Sequence, residues 1–138
     1  MDITAICING DVGHLGGSLE RLVEDLTFFQ QCGFDGVEIS VDGLDAVIGG
    51  RLVQSQMDRI RPITEQFDFV YTVHSPGRLN LAFPAWGLGG TPDVELEKAV
   101  FAAYLDSCAA IGAGAVSYTH LTLPTMSTTC RSRWSPGH

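Results

Sequence analysis

Twice in this chain an amphipathic helical segment passes through a short glycine turn straight into an apolar run. The two joints are Cys32-Gly-Phe-Asp-Gly-Val37 and Ile111-Gly-Ala-Gly-Ala115. An order of strand, loop, helix, glycine turn and strand that recurs in this way demands parallel strands. Each crossover must return the chain to the end it started from, and it does so with a right-handed turn. The expected fold class is therefore α/β, with about four parallel strands and helices on the outside.

The segments support that order. Ile3-Thr-Ala-Ile-Cys-Ile8 reads as a buried strand that runs into Asn9-Gly10-Asp11. A loop with four glycines follows to Gly17, and Ser18 stands where a helix N-cap belongs. Leu19, Leu22, Val23, Leu26 and Phe29 then recur at helical spacing until Gly33 stops the helix. The second strand lies within Phe34–Ser40. A second helix is expected over Leu52–Phe67, kinked or broken at Pro62. The third strand, Phe69–Val73, delivers His74-Ser75-Pro76. A long loop rich in Gly and Pro runs from Gly77 to Thr91, and Thr91-Pro92-Asp93 opens a third helix. Its apolar face is Leu96, Val100, Ala103, Ala110 and Ile111, widened by Phe101 and Leu105. Helix-to-strand turns are short, whereas strand-to-helix loops are long and hold the unusual residues. In parallel sheets that end is the functional one.

From Val116 the chain stops reading as protein. Val116-Ser-Tyr-Thr-His-Leu-Thr-Leu-Pro-Thr125 is the translation of GTC TCT TAT ACA CAT CTG ACG CTG CCG ACG, which resembles the transposon-end adapter of short-read library preparation. Cys130-Arg-Ser-Arg-Trp-Ser-Pro136 matches the next constant block of the same adapter, TGT AGA TCT CGG TGG TCG CCG, and Met126–Thr129 fill the place of a variable index. Residues 116–138 are thus expected to be a non-native read-through tail. His120, Cys130, Trp134 and His138 carry no functional weight. Residues 1–115 remain as one truncated domain, about half of a large single-domain barrel.

Charge and cysteine usage narrow the partners. The formal charge is −8, and all sixteen acidic residues precede Val116. Setting aside Arg131 and Arg133 leaves six basic residues against those sixteen, a charge of −10. Such a surface repels a phosphate backbone, and no run of Lys or Arg offsets it, so nucleic acid is disfavoured. No apolar run is long enough to span a membrane, and Met1-Asp2-Ile3 lacks a secretory n-region. Cys7, Cys32 and Cys108 are odd in number and without CxxC spacing, which favours free thiols in a reducing cytoplasm.

Three strand ends offer chemistry to one rim: Asn9 after the first, Glu38 on the second and His74 after the third. In Val37-Glu38-Ile39-Ser40 alternation sets Glu38 and Ser40 opposite Val37 and Ile39. With the aliphatic pair against the helices, Glu38 faces the interior of a barrel. There it could hold a metal, bind a sugar hydroxyl, or be a buried carboxylate satisfied by neighbouring donors. His74 can ligate a divalent metal or contact a substrate oxygen. Arg78 is a candidate for an anionic substrate group. His14 is a loop residue, either solvated or covering the site. Phe83 and Trp86 offer an apolar wall against a sugar ring or a packing core for a lid. The glycines of Gly10–Gly17 match neither a phosphate loop nor a dinucleotide fingerprint, and no Ser-His-Asp or Cys-His arrangement is legible.

Gly33-Phe-Asp-Gly-Val-Glu-Ile39, Tyr71-Thr-Val-His-Ser-Pro76 with Leu79-Asn-Leu81, and Ala109-Ala-Ile-Gly-Ala113 together resemble the xylose-isomerase-like TIM barrels, across the whole of residues 1–115. That superfamily holds sugar and sugar-phosphate isomerases and epimerases and the endonuclease IV type of apurinic-site nuclease. The resemblance implies the N-terminal half of a (β/α)8 barrel with divalent-metal chemistry (Mn, Mg, Co or Zn) at its C-terminal rim. It matches Glu38 to a pocket-lining acid and His74 to a substrate contact in the isomerase branch or a zinc ligand in the nuclease branch. A small sugar or sugar phosphate is the implied partner of the parent, whose homo-oligomerisation stays open. The isomerase metal site and its catalytic acid/base pair belong to strands five to eight, so the fragment alone is expected to be inactive and metal-free. The alternatives are a zinc-dependent phosphodiesterase of the endonuclease IV type and a non-catalytic barrel that serves as a binding module.

Overall fold

A computed structural model of the chain describes residues 5–10, 12–76, 79 and 93–117. Its centre is a four-stranded sheet of β1 (Cys7–Asn9), β2 (Gly36–Ile39), β5 (Val70–His74) and β6 (Ala115–Ser117). The strands lie in that order and every pairing is parallel. Between β2 and β5 the chain makes a small antiparallel hairpin, β3 (Val47–Ile48) with β4 (Arg51–Leu52). The helices are α1 (Val12–Leu15), α2 (Leu19–Cys32), α3 (Gln54–Thr64) and α4 (Val94–Ala110). No described helix is long and apolar enough to cross a membrane.

Local chemistry fixes the helix ends. The Ser18 side chain accepts from the Arg21 amide at 3.3 Å and so caps α2. Gly33 closes the same helix at φ 82°, a left-handed conformation that glycine adopts without steric cost, and its amide donates to Gln30 O. Asp93 caps α4 by accepting from the Leu96 amide at 2.9 Å. The second helix is shorter than its apolar spacing predicts. Leu52 belongs to β4, Val53 stands at the N-cap, and the helix ends at Thr64, two residues beyond Pro62. Phe67 instead stacks on Phe69 in the turn that follows, with ring centroids 5.9 Å apart.

The hairpin has a signature of its own. Gly49 and Gly50 stand at φ 56° and 73°, the pair of positive values a two-residue turn needs to follow strand twist. Gly50 also lies against α4, where a Cβ would come within 3.1 Å of Ala99 Cβ.

The sheet's two faces differ. The register pairs Ile8 with Val37, Val37 with Tyr71, Ile39 with Val73, and Val73 with Val116. This row meets the helices, and together with Leu22, Leu26, Met57, Ile60 and Tyr104 it forms the core. Each fully buried aliphatic side chain contributes about 1.5–3 kcal/mol. The opposite row is Cys7 and Asn9, Gly36 and Glu38, Val70, Thr72 and His74, then Ala115 and Ser117. Its members are half-buried or exposed except Gly36, and Val70 is 54% exposed. Gly36 is needed there, since a Cβ would meet Val70 O at 2.5 Å and Cys7 Sγ at 2.6 Å.

Candidate functional site

Asn9 is the last residue of β1, Glu38 the third of β2 and His74 the last of β5. Register sets Asn9 beside Glu38, and Glu38 beside Thr72, one alternation short of His74. Because the strands are parallel, all three side chains reach the carboxyl end of the open face. There they join.

Asn9 Nδ2 donates to Glu38 Oε1 at 2.6 Å, and His74 Nδ1 lies 2.7 Å from the same oxygen. The side chains of His74 and Glu38 are 27% and 19% exposed, so the pair is sheltered but reachable. Ser117 Oγ stands 3.3 Å from His74 Nδ1. Backbone bonds hold the frame: Gly10 N donates to Glu38 O at 3.0 Å and Ser75 N to Ser117 O at 3.1 Å. Among the described residues, nothing hydrogen-bonds to Glu38 Oε2 or His74 Nε2.

Chemically this is a carboxylate–imidazole pair with, among the described residues, one unbonded atom on each member. A carboxylate at Nδ1 favours the Nδ1–H tautomer of the neutral ring and leaves Nε2 with its lone pair. Such a pair can orient a hydroxyl, accept a proton or take part in a metal's coordination shell. The described residues include no cluster of three or more His, Cys, Asp or Glu able to hold a metal. Glu38 and His74 therefore fit part of a shell and need further ligands from outside these residues.

The other candidates fare differently. His14 pairs with a residue other than Glu38. It is on α1, with Nε2 3.3 Å from Asp25 Oδ1 of α2, and its carbonyl accepts from Arg21 Nη1 at 2.7 Å. Arg78, Phe83 and Trp86 lie outside the described residues. An apolar hollow of about 150 Å³ lies just beyond β5, between Pro76, Leu79, Leu96 and Val100, with the 9% exposed Glu97 on its wall.

Two features escaped the sequence reading. Val116 and Ser117, counted with the tail, complete β6 by pairing with Val73 and His74. The strand thus runs two residues beyond Ala115. Ser40 donates to Asp42 Oδ1 at 2.6 Å, and the phenol of Tyr104 of α4 stands near the same carboxylate. Burial, reinforced by that neighbouring carboxylate, pushes the Tyr104 phenol well above its ordinary range. Ser40, two residues after Glu38, was the one legible hint of this network.

No protein-family model matches the chain, and neither a curated protein nor a solved structure does.

Proposed function

We propose that residues 1–115 are the N-terminal half of a (β/α)8 barrel, cut from a sugar or sugar-phosphate isomerase or epimerase. The parallel order β1-β2-β5-β6, with helices packed on one face, agrees with that half-cylinder. The observation that carries the functional reading is the meeting of Asn9, Glu38 and His74 on one carboxylate oxygen at the carboxyl ends of three strands. In parallel α/β sheets, substrates are met at that end.

On this reading Glu38 and His74 grip substrate hydroxyls through Oε2 and Nε2, and Asn9 keeps the carboxylate turned toward them. When bound, the divalent metal would polarise the hydroxy-carbonyl unit of the sugar. The residues that move the proton between adjacent carbons belong to the missing half. The acidic charge of the chain weighs against the nuclease alternative.

The test uses the uninterrupted parent and this chain side by side, assayed for metal-dependent interconversion of aldoses and ketoses. The parent should turn over, and Glu38→Gln or His74→Gln in it should raise KM about tenfold, the effect of one lost charge-assisted hydrogen bond. The 138-residue chain should be inactive. Robust turnover by this chain, or a parent that cleaves apurinic DNA and leaves sugars untouched, would overturn the proposal.

A further inference from the structure

Asn9 and Gly10 form the one Asn-Gly step in the chain, whose other asparagine, Asn80, precedes Leu81. In such a step the amide nitrogen of the glycine can attack the asparagine side chain, because no Cβ hinders its approach. Both reacting groups are held here by a single residue. Asn9 Nδ2, the group that would leave, donates to Glu38 Oε1 at 2.6 Å. Gly10 N, the group that would attack, donates to Glu38 O at 3.0 Å. Ring closure also needs Asn9 to turn out of the extended backbone of β1, where the ladder pairs it with Glu38. Asn9 is nonetheless exposed, so water reaches it.

We infer that Asn9 is a latent deamidation site, kept closed by the double hold of Glu38 and opened when that hold is lost. Gly10 N bonds to Asn9 Cγ, the Cγ–Nδ2 bond breaks, and Nδ2 leaves as ammonia with the proton that Gly10 N gives up. Water then opens the cyclic imide at one carbonyl or the other, which leaves aspartate or isoaspartate at position 9. Nothing is oxidised or reduced. The product sets a carboxylate where Nδ2 had donated, so Glu38 loses a donor and gains a like charge beside it. The conversion is irreversible, and a chain whose rim has once opened carries a lasting mark of it.

The test incubates the full chain in mildly alkaline buffer, folded and in urea, and follows the tryptic peptide Met1–Arg21 by mass spectrometry for the change from amide to acid. The folded wild type should convert at least about tenfold more slowly than the unfolded chain, the weight of one charge-assisted hydrogen bond. Folded Glu38→Ala should lose most of that protection. Glu38→Gln, which keeps the shape and a carbonyl acceptor but not the charge, should lie between, and it decides alone if Glu38→Ala does not fold. Gly10→Ala, whose added Cβ would stand 3.4 Å from Glu38 O, should suppress the reaction in both states. Ile39→Ala weakens the core and leaves the Glu38 side chain in place, so it should convert more slowly than Glu38→Ala. Equal rates in the folded and unfolded wild type, a folded Glu38 variant no faster than wild type, or Ile39→Ala as fast as Glu38→Ala would overturn the inference.

Discussion

The two faces of the sheet belong to the same strands yet answer to different demands. On the helix side Val37, Ile39 and Val73 are at most 2% exposed, and each sits among aliphatic and aromatic neighbours. On the other side the same strands carry Asn9, Glu38, Thr72 and His74, polar groups that bond to one another or stay half-exposed. Parallel sheets are normally covered on both faces, because crossover helices or a closed barrel cover them. Here one face is packed with apolar side chains and the other carries the polar ones, and alternation at single-residue spacing keeps them apart.

The largest effect should come from a matched pair across that divide. Ile39→Ala opens a cavity in the core and should cost about 2–5 kcal/mol, whereas Val70→Ala on the open face should change stability by about 0.5 kcal/mol or less. Urea titrations of both variants give the comparison directly, and equal losses would mean that the open face is covered in solution. A second test uses pH. Burial pushes the Tyr71 phenol up to about 12 while its hydroxyl donates to Thr64 O at 3.0 Å. The unfolded chain gives up that proton near 10 and the folded chain holds it to about 12. The stabilisation is therefore complete below pH 10 and is lost as pH climbs from there toward 12. Tyr71→Phe should flatten part of that alkaline loss, followed by circular dichroism, and an unchanged profile would assign the loss elsewhere. The smallest effect should come from Ser18→Ala, which removes the cap of α2 at about 1 kcal/mol without touching either face. A thermal scan should show a modest drop in Tm and no change at His74.

Much of this was legible in the residues. Ser18 and Gly33 bracket α2 as their cap chemistry foretells, and alternation in Val37–Ser40 assigned Glu38 to its face. What the sequence left out has physical causes. Leu52 fits a helical spacing as well as a strand, and only the Gly49-Gly50 turn, with both residues at positive φ, settles it as β4. His14 pairs with Asp25 because α1 folds back on α2, a contact that no local pattern encodes. The joining of Asn9, Glu38 and His74 within 2.7 Å depends on the register of three strands, and periodicity alone is blind to register. Ser117 reads as part of the adapter-like stretch, and in the fold it pairs with His74.

The single oxygen held by both Asn9 and His74 has one more outcome. Two side chains from strands that are not neighbours compete for the same lone pairs, so trimming Asn9 to Ala would be felt by the imidazole across β2. In a double-mutant cycle the penalties at positions 9 and 74 should not sum, and Glu38 would be the messenger between them.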